Sequence, residues 1–140
     1  MIDITVLHPT ARVPRRSIQR LVPAIIRKES RRSLDSVHVI ILTDRRIRTL
    51  NRRFLDHDAV TDVITFDLSE RPAAPVDGEI YISYDRAQVQ ARRFRVSIDN
   101  EILRLVAHGV LHLLGYDDAT ESERQTMLER GERYLLKRSA

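Results

Sequence analysis

Apolar and polar residues alternate over residues 2–6, where Ile2, Ile4 and Val6 are separated by Asp3 and Thr5. A period of two predicts a half-buried first strand ending near Pro9. The period then lengthens: Ile18, Leu21, Val22, Ile25 and Ile26 form one stripe of a helix capped by Ser17 and running to about Glu29. Pro23 lies inside it, removes a backbone donor, and predicts a distortion or a later start. Alternation returns at Val37, Val39 and Ile41 as a second strand, after which Thr43 or Asp44 caps a helix directed toward Phe54. The β-branched and aromatic run DVITFDL, residues 62–68, predicts a third strand. The loop-like SERPAAPVDG separates it from a fourth, EIYIS. Residues 85–95 predict a helix with Ala87, Ala91 and Phe94 on one side. The long apolar segment 98–114 predicts a central buried helix stopped at Gly115. Thr120 and Glu123 then make a capping-box pattern before a last helix that packs through Met127, Leu128, Gly131, Tyr134 and Leu135.

No repeat, linker or low-complexity tract interrupts this order, which predicts one α+β domain over residues 1–140. A chain of this length buries about two-thirds of the surface exposed when unfolded, enough for one core. Hydrophobic residues at 42% and charged residues at 31% exclude a disordered or fibrous chain. No apolar run approaches the roughly 20 residues that span a bilayer, and Asp3 stands where a secretory leader would be basic. Neither membrane insertion nor secretion is expected. Cysteine is absent, so disulfides, thiolate nucleophiles and cysteine metal sites are excluded together, and any metal must be held by imidazole and carboxylate. This composition fits a reducing cytoplasm, and a cytoplasmic location is the expectation.

The net charge of +4 conceals an asymmetry: residues 1–60 carry 13 Lys and Arg against 6 acids, and residues 61–140 carry 11 against 14. The basic half is mostly arginine, whose guanidinium group binds phosphate bidentately. Arg45, Arg52 and Arg53 are the expected contacts to a nucleic-acid backbone, and charge alone does not separate RNA from DNA.

The sharpest chemical signal is HGVLHLLGYDD, residues 108–118. His108 and His112 lie four apart, one helical turn on the same face, so both imidazoles can converge on one ion. Gly115 suits a left-handed turn that brings Asp117 or Asp118 back toward that ion. Two imidazoles and one carboxylate form a three-ligand zinc set with an open fourth position, the pattern of a catalytic rather than a structural site. Zincin proteases share the helical His-x-x-x-His but place a glutamate base directly after the first His, where this chain has Gly109. Phosphate-ester hydrolysis therefore ranks above proteolysis.

At this point the chain resembles the YbeY endoribonuclease family. Members carry His-Gly-x-Leu-His-Leu-x-Gly-Tyr-Asp-His, matched here except that Asp118 stands for the last His. The family's Leu-Asn-plus-aromatic block and its Thr-Asp-Val-Leu-Ser-Phe block are matched by Leu50-Asn51-Arg52-Arg53-Phe54 and Thr61-Asp62-Val63-Ile64-Thr65-Phe66. Its Gly-Asp-Ile strand entry is matched by Gly78-Glu79-Ile80, followed by Ser83. The resemblance covers essentially the whole chain. It implies a zincin-like metal-dependent hydrolase fold with a small mixed β-sheet packed by helices, and one Zn2+ held by His108, His112 and Asp118, with Asp117 bracing the loop. It also implies cleavage of single-stranded RNA in maturation of small-subunit (16S-type) ribosomal RNA and in ribosome quality control. The implied partners are ribosomal RNA, the small ribosomal subunit and ribosomal proteins.

One departure is Leu55, where many members have an arginine after the aromatic residue. This substitution, and the lack of an assignable general base, motivate an alternative: a non-catalytic, zinc-stabilised RNA-binding factor in ribosome biogenesis. Other residues carry simpler expectations. His57 hydrogen-bonds Asp56 or Asp58, Thr61 and Asp62 brace the turn into the third strand, and Phe54 and Phe66 belong to the core. Glu79 is a proton acceptor only if the fourth strand borders the cleft.

Overall fold

The computed structural model describes residues 1–139, with side chains through Leu135. In chain order the elements are β1 (Ile2–Val6), α1 (Arg15–Glu29), β2 (Leu34–Leu42), α2 (Asp44–Leu55), β3 (Val63–Asp67), β4 (Val76–Ser83), α3 (Tyr84–Phe94), α4 (Ile98–Leu113) and α5 (Glu121–Ser139). The four strands form one sheet in the order β1-β2-β4-β3. β1, β2 and β4 run parallel, with Ile4 opposite Val39 and Val39 opposite Ile80. β3 closes one edge antiparallel to β4, with Thr65 opposite Ile80. The sheet is therefore mixed, and the domain is α+β.

Alternation sorts the strand side chains onto two unequal faces. Val39, Ile41, Ile80 and Ile82 point into the larger core, where they meet Ile18 and Ile25 of α1 and Val106, Val110 and Leu111 of α4. Each such fully buried aliphatic side chain stabilises the fold by about 1.5–3 kcal/mol relative to exposure. On the opposite face Ile40, Leu42 and Ile64 pack under Ile47 of α2, with Leu50, Phe66 and Tyr81 at the margin. α4 packs on β3 and β4 and contacts α1, α3 and α5. It approaches β4 closely at Gly109, where an added Cβ would sit 2.7 Å from Ile80 Cγ2.

The helix ends follow side-chain chemistry. Thr43, Ser83 and Ser97 cap α2, α3 and α4, each accepting a hydrogen bond from a backbone N–H three residues on. Before α5, Thr120 Oγ1 accepts from Glu123 N while Glu123 Oε1 accepts from Thr120 N, the reciprocal pair the sequence predicts. α1 departs from expectation. It begins at Arg15 after Pro14, without a side-chain cap from Ser17, and continues through Pro23. The bond Pro23 forfeits is to the carbonyl of Gln19, an exposed residue where water can replace the donor, while the buried stripe holds the helix against the core. β2 and β4 also start earlier than their apolar runs, because Leu34 pairs with Val76 and Val76 N donates to Ser33 O. Among the described residues, no helix is long and apolar enough to cross a membrane.

Candidate metal centre

The last turns of α4 and the loop after it bring three ligand-type side chains together. His108 Nε2 and His112 Nε2 lie 3.1 Å apart, and Asp118 Oδ2 lies 3.5 Å from the first and 3.4 Å from the second. Among the described residues this is the one group of three His, Cys, Asp or Glu side chains close enough to share an ion. The donor set fits zinc on two grounds. Bonds of about 2.0–2.1 Å in a tetrahedron separate neighbouring donors by about 3.3–3.4 Å, which is the scale of this triangle. Two neutral imidazoles and a carboxylate are also the oxygen and nitrogen donors that zinc accepts.

The surroundings prepare these donors. Helix α4 ends at Leu113, and Gly115 turns the chain with φ of 98°, a conformation open to glycine without steric cost. The returning loop places Tyr116 O 3.1 Å from His112 Nδ1. A carbonyl only accepts, so Nδ1 carries the proton and the Nε2 lone pair faces the cluster. Asp117 Oδ1 accepts from Asp118 N at 2.7 Å and Ala119 N at 3.2 Å, a local turn that braces the loop, as expected of Asp117. Burial pushes the His108 pKa below its ordinary value, and the nearby His112 reinforces this against the opposing pull of Asp118 and Asp62. The shift favours the neutral ring, the form that can ligate a metal.

Glu29, at the end of α1, anchors the same loop from outside. Its Oε1 accepts from Tyr116 Oη at 3.0 Å and from Arg130 Nη1 at 2.9 Å, and its Oε2 accepts from Tyr134 Oη at 2.6 Å. Burial alone would raise the Glu29 pKa, but the Tyr134 and Tyr116 hydrogen bonds and the Arg130 charge outweigh it and hold the carboxyl below its usual value. Tyr116 therefore links Glu29, through its side chain, to His112, through its backbone.

The cluster opens into a cavity of about 450 Å³ between α2, β3 and α4, lined by Asn51, His57, Asp62, Thr65, Asp67 and Leu113, with Leu55 also on its wall. A second cavity of about 250 Å³ on the α3–α5 side shares Asp62, His108 and Asp118 and ends at Glu101. Sequence reasoning missed Glu101. Its side chain is fully buried on the His108 face of α4, Oε2 accepts from Gln90 Nε2 at 2.6 Å, and Oε1 has no hydrogen-bond partner. Burial pushes its pKa up, with Gln90 and Arg104 pulling the other way. The available signal was an acid at i−7 from His108, two helical turns away on the same face.

Other expectations divide. Asp62 O accepts from Ser83 N at 2.9 Å, tying the entry of β3 to the end of β4, and the Asp62 side chain lines both cavities. His57 lines the metal cavity, but Asp58 does not partner it: Asp58 takes a bidentate contact from Arg48, at 2.8 and 3.3 Å. Glu79 is not at the cleft. It sits beside Tyr81, whose pKa burial and Glu79 together raise, on the sheet face under α2. Phe66 is half-buried, whereas Phe54 is 63% exposed and outside the core, contrary to expectation. Arg45 and Arg53 line a groove along α2, and Arg52 lies on the neighbouring stripe near Asp58.

The sequence profile described as Endoribonuclease YbeY matches residues 4–139. An Endoribonuclease YbeY from Chlorobium phaeovibrioides is 40% identical over 131 residues, covering 92% of this chain and 86% of the relative. One from Chlorobaculum tepidum is 46% identical over 105 residues, 75% of each chain. The solution structure of TM1509 from Thermotoga maritima superposes with a TM-score of 0.66 at 31% identity, over 96% of this chain and 87% of that one. Profile, relatives and fold agree, and the chain belongs to the YbeY endoribonuclease family.

Proposed function

We propose that residues 1–140 form one zincin-like domain that acts as a zinc-dependent, single-strand-specific endoribonuclease in the maturation and quality control of small-subunit ribosomal RNA. The observation that carries the reading is the triangle of His108, His112 and Asp118, with donor spacings of 3.1–3.5 Å, at the wall of a cavity wide enough for a phosphodiester. Zinc there would supply a Lewis acid that polarises a phosphoryl oxygen and increases the acidity of a water molecule.

The chain's own residues do the rest. His112 is oriented by the Tyr116 carbonyl, and Asp118 by the turn that Asp117 closes. Asp62, on the wall of the same cavity, is the candidate to accept a proton from an attacking water. His57, on the same wall, is the candidate to protonate a leaving oxygen or hold a phosphate. Leu55 occupies the wall position at which an arginine is common in the family, so phosphate contacts here fall to other groups.

The test is cleavage of single-stranded ribosomal RNA by purified, zinc-loaded protein and its His112→Ala variant, matched for trace nuclease. Loss of cleavage with the metal ligand supports the reading. Equal cleavage by both proteins overturns it, and tight RNA binding without zinc-dependent cleavage by the wild type would instead favour a non-catalytic factor.

A further inference from the structure

The sheet face under α2 carries a groove that the metal centre does not use. Its floor is apolar, formed by Leu42, Leu50 and Tyr81, and it encloses about 640 Å³. Its helical wall presents Arg45, Arg46, Arg53 and Phe54, which the 3.6-residue repeat brings to one side of α2. The arginines differ from their neighbours: Arg48 is paired with Asp58 and Arg86 with Asp44, while among the described residues no carboxylate pairs with Arg45, Arg46 or Arg53. Three guanidinium groups thus share the groove with an exposed aromatic ring, Arg53 beside it and Arg45 and Arg46 about 12 Å away along the helix.

That ring is fixed. Phe54 meets Phe66 edge-on, at 6.0 Å between centroids and 76° between planes, and Phe66 meets Tyr81 in the same way at 5.7 Å and 84°. The ladder orients the Phe54 ring and leaves it 63% exposed, with the Arg53 guanidinium 5.9 Å from its centroid. An oriented, open aromatic face beside unpaired arginines is the arrangement that binds single-stranded nucleic acid, the ring stacking on a base and the arginines taking the flanking phosphates. A duplex keeps its base faces covered, so the groove suits an unpaired strand.

We propose that this groove is a second RNA-binding surface, which stacks an unpaired base on Phe54 and holds the adjoining phosphates on Arg45, Arg46 and Arg53. The inference rests on reading the chain as an endoribonuclease for single-stranded RNA, and it adds where the strand runs outside the cleft. Helix α2 connects the two places: Asn51 and Leu55, in its last turns, line the metal cavity, while Arg53 and Phe54 line the groove. A strand crossing the C-terminal end of α2 contacts both. Phe54 selects for unpaired sequence next to the scissile bond, a selection the metal ligands do not make.

The experiment measures binding of oligouridylates by fluorescence anisotropy with the zinc-loaded chain, using strands of about twelve and about four nucleotides. Phe54→Leu preserves an apolar contact on Phe66 and removes the stacking face. It is expected to weaken binding of the longer strand about tenfold and that of the shorter strand less, with zinc content unchanged. Phe54→Trp should restore the longer strand's affinity. Arg53→Glu should weaken binding and lower the slope of log affinity against log salt by about one. Wild-type affinity for the longer strand in both Phe54→Leu and Arg53→Glu overturns the proposal. So does a dimer in sedimentation that Phe54→Leu dissociates while RNA affinity stays constant, which would give the groove to a second copy of the chain. Binding is read separately from cleavage: if His112→Ala still cleaves while Phe54 governs affinity, the metal mechanism fails and the groove stands.

Discussion

Gly109, between His108 and His112 of the candidate metal centre, permits a quantitative test of how tightly α4 lies on the sheet. An alanine Cβ there would fall 2.7, 2.9 and 3.0 Å from Cγ2, Cδ1 and Cγ1 of Ile80, a fully buried side chain with no room to retreat. Carbon atoms in ordinary contact are about 3.5–4.0 Å apart, so helix and strand must separate by several tenths of an ångström or Ile80 must leave its rotamer. Overpacking of this kind costs about 1–3 kcal/mol. Against it, alanine is better than glycine inside a helix by about 1 kcal/mol. Gly109→Ala should therefore destabilise by about 1 kcal/mol in the wild-type background. In an Ile80→Ala background the clash is gone, the helix preference remains and the new methyl fills vacated space, so the same change should stabilise by about 1 kcal/mol. The coupling between the sites is then about 2 kcal/mol, readable from a double-mutant cycle of urea unfolding curves. A coupling under about 0.5 kcal/mol would refute the close approach of α4 to β4.

Two further outcomes concern acids. Asp118→Ala should lower zinc affinity by more than about a hundredfold, beyond the usual loss for a supporting residue, whereas Asp117→Ala should cost about tenfold. Full zinc stoichiometry in Asp118→Ala with loss in Asp117→Ala would reverse the assignment. For Glu101, burial raises the folded-state pKa above the unfolded value, so the favourable state is the protonated one. Its contribution is fully present below the unfolded pKa of about 4.3 and is lost as pH rises through the folded pKa. Glu101→Gln should flatten this fall, leaving the variant more stable relative to wild type at pH 8 than at pH 4. Parallel stability curves for the two proteins across that range would contradict the burial of a titrating carboxyl.

Much of this architecture is legible in the sequence because the informative features are local. The alternation at Ile2, Ile4 and Val6, the capping box at Thr120 and Glu123, and the spacing of His108 and His112 each depend on residues a few positions apart. What is not legible depends on which element faces which. Phe54 shares one side of α2 with Ile47 and Leu50 and reads as core, but α2 is the one described helix on its sheet face, and among the described residues no element buries Phe54. Alternation within β4 puts Glu79 on the same face as Tyr81, but that this face lies under α2 and away from the cleft depends on helix packing that no pattern within the strand reveals. Asp58 is drawn from His57 to Arg48, an arginine ten residues earlier on a helix, by geometry that exists only after α2 and its loop have formed.

The hydrogen bonds that converge on Glu29 also impose an order in time. Glu29 is synthesised early and then waits for Tyr116, Arg130 and Tyr134, the last of these 105 residues later. Tyr116 is in place before α5 in the chain, but the loop that carries Asp118 is fully fastened only when α5 docks and supplies Arg130 and Tyr134. The candidate metal ligands are thus among the groups whose positions depend on the last part of the chain. In the finished protein the same dependence makes α5 a clasp: fraying of this helix loosens the metal loop first while the sheet remains intact, so loss of metal should precede global unfolding.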